Sequence, residues 1–433
     1  MITKMRSGRF TEGKLLSKAN IVNTIIIMLL LSSLDAIAQS EEPTVNNPFG
    51  IGARTMGMGG AFIGIADDFT AIHWNPAGLA QIRHFELSGG LSHTLLESSS
   101  QFTGSSEHEV SESATKPNSV GIVWPVTSHR DGLKLAFGVN RVQSFDGRSI
   151  LKGIDPLDGF DVDERRRSEG SIYAWSFGGA GYISRKISLG ISLDFWSGGQ
   201  SQELDSLAID TANVDKELDN LSFYDTIDRH YWGFSGKAGS LVRLSKHVSL
   251  GATITFPMLL EINEDWTQDT LIHLDDGTKD TDYDSGYFDY DIKRPFEFGG
   301  GIAFHLENLI IAADLRYADW TQTEYSEPPA EDVSNEDFDN FYRDTVEVRV
   351  GSEYFIPAIN SKVRAGYMRN PIAFDDESIT NERDFLTLGI GTLIDEVLEL
   401  NAAYLLGLWE RSDDSLRQKH TSHQVLFSFA YRY

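Results

Sequence analysis

The sequence predicts an all-β protein, a transmembrane antiparallel β-barrel of about 14 strands with an N-terminal plug (hatch) of short helices and Gly-rich loop in its lumen. Three observations predict this fold. Apolar residues alternate with small or polar ones along many segments, the turns between these segments are alternately short and long, and the last alternating segment closes with Tyr433. A lipid-facing outside and a wet inside produce this combination.

The start of the chain has the pattern of a secretory signal peptide. Basic residues between Lys4 and Lys18 precede an apolar stretch, 21–34, and Ala36-Ile37-Ala38 fits a small-residue cleavage site. The apolar stretch is shorter than the roughly 20 residues of a spanning helix, and no longer one follows it. We therefore expect a signal peptide over 1–38, a hatch over 39–83 and the barrel over 84–433. A retained N-terminal anchor is the alternative.

Charge and composition argue against several classes of protein. The net charge of −27 disfavours a nucleic-acid partner, because binding phosphates requires clustered Lys and Arg. The chain has no cysteine, which excludes disulfides and thiolate metal sites and suits an oxidising periplasm. Local catalytic motifs are lacking and the 11 histidines have no metal spacing, so we expect no enzyme, metal or cofactor. A barrel enzyme with a dispersed Ser/His or Asp/His site is the less favoured alternative.

Period-two alternation predicts fourteen strands, an even number as in bacterial membrane barrels. They are 84–95, 118–126, 132–144, 170–184, 185–198, 230–245, 246–262, 285–305, 307–320, 343–356, 361–370, 384–394, 396–408 and 420–433. Every second connection is short, as at 184–186, 245–247, 305–308 and 395–396, and the others are predicted to be loops of about twenty to thirty residues. We expect the short turns and both termini at the periplasmic rim.

Most of the negative charge lies in three of the predicted loops. Residues 199–229, 264–284 and 322–341 hold 23 Asp or Glu against three Lys or Arg. Solvated loops at the cell surface are the favoured interpretation. The alternative is that carboxylates between Asp265 and Asp284 bind divalent cations, although their spacing does not fit an EF-hand loop.

A barrel of this circumference needs either a water-filled pore or a plug, and the segment after the leader suits a plug. Its glycines permit positive φ and close approach of backbones. Its aspartates can cap a short helix over 69–74, which ends before the proline, and Asn75-Pro76 suits the start of a second helical turn. The hatch motif comprises Gly57, Gly59, Gly60, Asp67, Asp68, Asn75, Pro76, Ala77 and Gly78.

In this segment the chain resembles the FadL/TodX superfamily of outer-membrane transporters for long-chain fatty acids and aromatic hydrocarbons. The residues that carry the resemblance are Gly52-Ala53-Arg54, Met56-Gly57-Met58-Gly59-Gly60-Ala61-Phe62, Ala66-Asp67-Asp68 and Trp74-Asn75-Pro76-Ala77-Gly78-Leu79-Ala80. The resemblance implies a fourteen-stranded barrel in the outer membrane of a Gram-negative bacterium. It also implies passive transport of hydrophobic small molecules, which enter among the extracellular loops, pass the hatch and leave through a gap in the wall.

Candidate ligand-binding residues follow from this expectation. Apolar contacts would come from the hatch residues Phe62, Ile63 and Phe69. A carboxylate on the ligand would need an inward cation, and alternation points Lys134, Arg316, Arg349 and Arg364 inward. The favoured alternative is that these cations pair with inward acids such as Asp314 and Glu347 in a wall network.

The expected partners are outer-membrane lipid, a hydrophobic ligand and the barrel assembly machinery, because the strand ending at Tyr433 resembles the C-terminal strand that outer-membrane barrels present to that machinery. The same superfamily implies a second function, since PorV-like members take part in protein secretion and surface attachment. A secreted protein partner held by the acidic loops is therefore the alternative to uptake.

Overall fold

Fourteen antiparallel strands form a closed barrel in the computed structural model, which describes residues 50–126, 132–328, 334–375 and 378–433. The strands are β1 (Glu86–Phe102), β2 (His108–Pro125), β3 (Lys134–Ser144 and Gly147–Ile154), β4 (Asp161–Ser184), β5 (Ile187–Ile209), β6 (Leu218–Arg243), β7 (Val248–Thr255 and Met258–Leu274), β8 (Lys279–Arg294 and Glu297–His305), β9 (Leu309–Asp319 and Glu324–Glu327), β10 (Asp344–Ile356), β11 (Ser361–Asn370), β12 (Ile379–Ile394), β13 (Leu398–Ser412) and β14 (Leu416–Arg432). Pairing of β1 with β14, from Glu86 opposite Arg432 to Phe102 opposite Leu416, closes the barrel.

The helices are short and lie inside or at the ends of the barrel. Helix α1 (Ala53–Gly57), helix α2 (Ala71–Trp74) and a 3₁₀ helix (Pro76–Gln81) belong to the hatch. A 3₁₀ turn (Trp320–Gln322) and α3 (Glu336–Phe341) lie in the connection from β9 to β10, and another 3₁₀ turn (Pro357–Ile359) joins β10 to β11. No helix in the described ranges is long and apolar enough to cross a membrane.

The two faces of each strand differ as the alternation predicts. On β12, Leu386, Leu388 and Ile390 are about 60% exposed on the outside, whereas the intervening Thr387 is buried against the hatch. Because hydrocarbon surrounds the outer face, this exposure of apolar side chains is stable only in a membrane. The predicted strand number and the inside-outside pattern are confirmed.

The prediction of long acidic loops is wrong over most of their length. Residues 199–209 and 218–229 extend β5 and β6, and 264–274 and 279–284 extend β7 and β8, which leaves connections of only 210–217 and 275–278. Similarly, β2 begins at His108 rather than at 118. These extensions project beyond the apolar band and meet water, so polar residues occupy them and the apolar alternation used to find strands is lost. Backbone hydrogen bonds between adjacent strands stabilise these extended hairpins.

Two apolar clusters inside the barrel position the site. The first joins the hatch to the wall and includes Met56, Phe62, Phe69 and Leu79. The second lies in the lumen on the other side of the hatch, between the walls of β3 to β8, and includes Tyr231, Leu260, Ile262 and Ile292. The signal peptide expected over 1–38, and residues 39–49 of the expected hatch, lie outside the described residues.

Candidate functional site: hatch, lumen and wall

The hatch fills the lumen at the end of the barrel where the short turns lie, and it contacts the wall backbone directly. Gly59 has φ +63°, its N–H donates to Thr387 Oγ1 at 2.9 Å, and a Cβ at this position would lie 2.7 Å from the backbone of Tyr367. Gly57 similarly packs against Gly389. Only glycine permits both this φ and this approach, so the Gly-rich motif sets the depth at which the hatch sits.

The Asn75-Pro76-Ala77-Gly78 motif locks the other side of the hatch. The buried Asn75 amide donates to Ile63 O at 2.9 Å and to Ser240 O of β6 at 3.0 Å, and its oxygen accepts from Ala77 N at 3.2 Å. Pro76 opens the 3₁₀ helix, which needs no N–H at that position. A Cβ on Gly78 would lie 1.8 Å from Ala66 O, so this residue must be glycine for the hatch to close on itself.

A buried network of charges ties the hatch to the wall through Arg54. Its Nη1 lies 2.5 Å from Asp67 and 3.4 Å from Asp68, while Nε lies 3.0 Å from Glu353 of β10. Further pairs continue the network around the wall, namely Glu353 with Lys362 and Arg364, Glu399 with Lys362, Arg364 and Arg432, and Arg432 with Glu86. The sequence predicts that Asp67 or Asp68 caps the helix; Asp68 does accept from the backbone N–H of Thr70, and both aspartates are also partners of Arg54.

Burial raises the pKa of Asp68 to about 6, although the neighbouring Arg54 opposes this shift. Asp68 Oδ1 accepts from both the backbone N–H and the hydroxyl of Thr70. Burial, followed by the nearby Lys237, Arg316 and Arg349, lowers the pKa of His73 well below its ordinary value. The hatch therefore holds a neutral imidazole on its lumen side and a carboxylate that titrates in the mildly acidic range.

One wall carboxylate holds the centre of the hatch by its backbone. Asp314 Oδ2 of β9 accepts from the N–H groups of Phe62 and Ile63, at 2.6 and 2.7 Å. The side chain of Phe62 is fully buried, and Phe69 packs against the bare backbone of Gly121 and Gly138. The structure thus places Phe62 and Phe69 in the contact between hatch and wall rather than on the lumen cavity described next.

A small cavity of about 70 Å³ lies in the lumen directly over His73. Its wall side chains include the indoles of Trp196 and Trp320, which flank the guanidinium of Arg294 at 5.9 and 5.1 Å from its Cζ. The charged residues lining it are three cations and three acids, Lys237, Arg294, Arg316, Asp194, Glu297 and Glu347. The cavity is amphipathic, since aromatic faces and charges of both signs meet in it.

The predicted inward cations do point inward, and most are paired in the wall. Arg349 lies 2.5 Å from Glu347, and Arg316 pairs with Glu297 and Glu347. Arg364 pairs with Glu353 in the hatch network, and Lys134 is buried at the start of β3. Of the seven candidate ligand residues, Arg316 lines the cavity and Ile63 lines a narrow extension beside it.

The structure adds cavity residues that the sequence interpretation missed. Lys237 Nζ donates to His73 O at 2.5 Å, and Trp196 and Trp320 point inward with their Nε1 groups bonded to Ser235 and Thr345. Trp320 is 3% exposed and continues the inward face of Asp314 and Ala318 on β9. Alternation along β5 and β6 would have found Trp196 and Lys237.

The wall is not continuously hydrogen-bonded between β2 and β3. The two strands pair only from Ser119 opposite Asn140 to Pro125 opposite Lys134. Beyond this point β2 pairs with β1 alone, and β3 shifts register at 141–143 and breaks before Gly147. The outer part of β3 bends inward, and its Gly147 lies against Leu96 on the lumen face of β1. We call this break in the strand pairing, at the level of Lys116 and Asp146, the gap in the wall.

Comparison with known proteins now identifies the family. Residues 47–428 match the model of the outer membrane protein transport protein family (OMPP1/FadL/TodX). The chain belongs to this family. Among solved structures, the Pseudomonas putida toluene transporter TodX is similar, with a TM-score of 0.64 and 17% identity over 89% of this chain and 99% of TodX. A comparison with curated protein sequences gives no match.

Two further solved structures have the same fold. A Pseudomonas aeruginosa FadL homologue aligns with a TM-score of 0.63 and 13% identity, covering 90% of this chain and 99% of the homologue. The Ralstonia pickettii toluene transporter TbuX aligns with a TM-score of 0.61 and 15% identity, covering 89% and 98%. Membership of this family places the chain in the outer membrane as a transport protein and not an enzyme, as predicted.

The acidic hairpins offer no assembled metal centre. Within 50–126, 132–328, 334–375 and 378–433, no group of three or more His, Asp or Glu side chains is arranged to hold a metal ion. The carboxylates of β7 and β8 instead alternate along paired strands, for example Asp265 opposite Tyr287 and Asp269 opposite Tyr283. Asp265 and Asp269 therefore lie on one face of the hairpin, and Asp280, Asp282 and Asp284 lie on the other.

Proposed function

We propose that the protein is a passive channel for hydrophobic small molecules such as long-chain fatty acids or hydrocarbons. Molecules enter between the extracellular hairpins, pass the apolar cluster around Tyr231 and Leu260, and reach the cavity over His73. They leave where the hatch and the gap between β2 and β3 meet this cavity. The family's transport role supports this proposal, and the position of the cavity is the main structural evidence for it.

The main evidence for the exit route is the position of Val142 and Gln143. Both residues line the cavity, and both lie where β3 has lost its pairing with β2. Below the cavity, the Arg54, Asp314 and Asn75 contacts close the lumen. A molecule in the cavity would thus have a shorter way to the lipid through the wall than through the hatch.

Filling the cavity should test the proposal. Ala174 is buried and lines the cavity, so Ala174→Leu should slow uptake of dodecanoic acid or toluene by cells that depend on this protein. Ala402 lies opposite the lipid-facing Phe427 and Ile390, so Ala402→Leu adds the same group outside the lumen and should leave uptake unchanged.

Heat-modifiable mobility in gels checks that both variants form barrels. Wild-type uptake no faster than that of a strain lacking the protein would refute the proposal, as would equal rates in the two variants. The secretion-adapter alternative has no support among the comparisons. Co-purification of a secreted protein with the wild-type chain, in a strain that shows no uptake, would favour it instead.

A further inference from the structure

The side chain of Lys116 crosses the gap in the wall. Lys116 of β2 faces the lumen opposite Ser92, at the point where β2 has no partner on its β3 side. Its Nζ donates to Asp146 Oδ1 at 2.5 Å, to Gly170 O at 3.1 Å and to Ser171 Oγ at 3.3 Å. Three acceptors on β4 and the β3 break thus replace the missing strand pairing.

Of the two charges in this contact, Asp146 is the fixed one. Its oxygens accept from Ser144 Oγ at 2.9 Å and from Gly170 N at 3.3 Å, and Arg141 lies 3.9 Å away. Lys116 has a flexible four-carbon stem and the more exposed side chain, 26% against 11% for Asp146. Asp146 therefore keeps polar partners when Lys116 swings out, and Lys116 is the mobile member.

We propose that Lys116 is the gating and selectivity residue of the wall opening, and that it favours ligands bearing a carboxylate. Resting on the proposed function, the inference adds a substrate class to it. A neutral molecule must break the Lys116–Asp146 pair with nothing to replace it. A carboxylate arriving from the cavity can take the place of Asp146 on the ammonium, so the ion pair is exchanged rather than lost.

The test compares uptake of dodecanoic acid and dodecan-1-ol, which have the same chain length and differ in charge. Cells carrying the wild-type chain should import the acid faster than the alcohol. Lys116→Met should speed uptake of the alcohol and slow uptake of the acid. The acid-to-alcohol ratio of uptake rates should fall by roughly tenfold, which corresponds to the loss of one charge-assisted hydrogen bond. Asp146→Asn should speed both compounds and keep the ratio, because the ammonium remains.

Two controls separate this role from a structural one. Lys116→Arg keeps the charge and should restore the ratio. Lys152→Met removes a lysine of similar exposure that pairs with Asp163 at 2.7 Å farther along β3, beyond the level of Asp146, and it should behave as wild type.

Each outcome has a definite meaning. If wild-type cells import both compounds but Lys116→Met leaves the acid-to-alcohol ratio unchanged, the gating role of Lys116 is refuted. The proposed channel function is not affected by that result. If wild-type cells import neither compound faster than cells lacking the protein, the proposed function fails and the gate with it. Barrel formation by every variant is checked by heat-modifiable mobility, and Asp146→Asn gives an independent reading if Lys116→Met does not assemble.

Discussion

Arg54 and Glu353 form a two-pronged ion pair between the hatch and the barrel wall. Nε and Nη2 of Arg54 donate to the two carboxylate oxygens of Glu353 at 3.0 and 3.2 Å. Both side chains are over nine-tenths buried, so neither charge has water as an alternative partner. This pair connects two parts of the chain that are 299 residues apart in sequence, and the stability of the closed hatch depends on it.

Arg54→Ala should loosen the hatch without unfolding the barrel. Removing one partner of a buried pair costs about 3–5 kcal/mol, because the other charge stays buried. Amides of residues 50–70 should therefore exchange with deuterium much faster than in the wild type, as measured by mass spectrometry. Arg369→Ala is the control, since Arg369 and Asp384 are largely exposed at 3.5 Å and such pairs contribute little. Unchanged exchange in Arg54→Ala would contradict the prediction.

Gly59→Ala should displace the hatch from its contact with the barrel wall. The methyl group would lie 2.7 Å from the backbone of Tyr367, in addition to the cost of φ +63°. Gly104→Ala is a matched control, because Gly104 has φ +88° but nothing within 4 Å of its Cβ position. We expect about 1 kcal/mol from the backbone term at Gly104 and a clearly larger loss at Gly59. Equal losses of thermal stability in the two variants would argue against close packing at this point.

Asp314→Ala should open the middle of the hatch. It leaves the N–H groups of Phe62 and Ile63 buried without their acceptor, at about 1–3 kcal/mol for each group. Exchange of these two amides should rise by more than that of amides at 76–81. Asp319→Ala also removes a carboxylate that accepts from a backbone N–H, that of Thr321, but outside the hatch. It should not alter exchange at Phe62 and Ile63, and a change there would show that the effect is global.

Asp68 should make hatch stability depend on pH. Burial raises its pKa to about 6 from the ordinary value of 3.8, despite Arg54 and with added repulsion from Glu86 and Asp67. A raised carboxyl pKa gives a contribution that is fully present below pH 3.8 and is lost as the pH rises through about 6. Asp68→Asn should therefore protect hatch amides better than wild type at pH 7 and match it near pH 4. A difference that does not vary with pH would rule out Asp68 as the titrating group.

The outward face and the strand number followed from the sequence, because hydrocarbon outside and water inside impose a period of two on every spanning strand. Leu386, Thr387 and Leu388 illustrate this period: the two leucines face outward and the threonine between them faces inward, as alternation predicts. The hatch was equally visible. Its glycines and Asn75-Pro76 set the local backbone conformation, and such a conformation depends on only a few neighbouring residues.

The acidic extensions of β5 to β8 were not found in this way. Polar residues lie on both faces of those hairpins, so no apolar period marks them, and the register continues from the paired strands next to them. Alternation does place Trp320 in the lumen, because it continues the inward face of Asp314, Arg316 and Ala318 on β9.

By itself the sequence determined the barrel, its sidedness and the presence of a hatch, since each depends on solvent contact or on backbone conformation within a few residues. Only the tertiary structure decided which charges meet. Arg54 pairs with Glu353, and the N–H of Phe62 donates to Asp314, between the hatch and the wall. These contacts depend on how strands far apart in sequence close around the hatch, and a one-dimensional pattern carries no information about that closure.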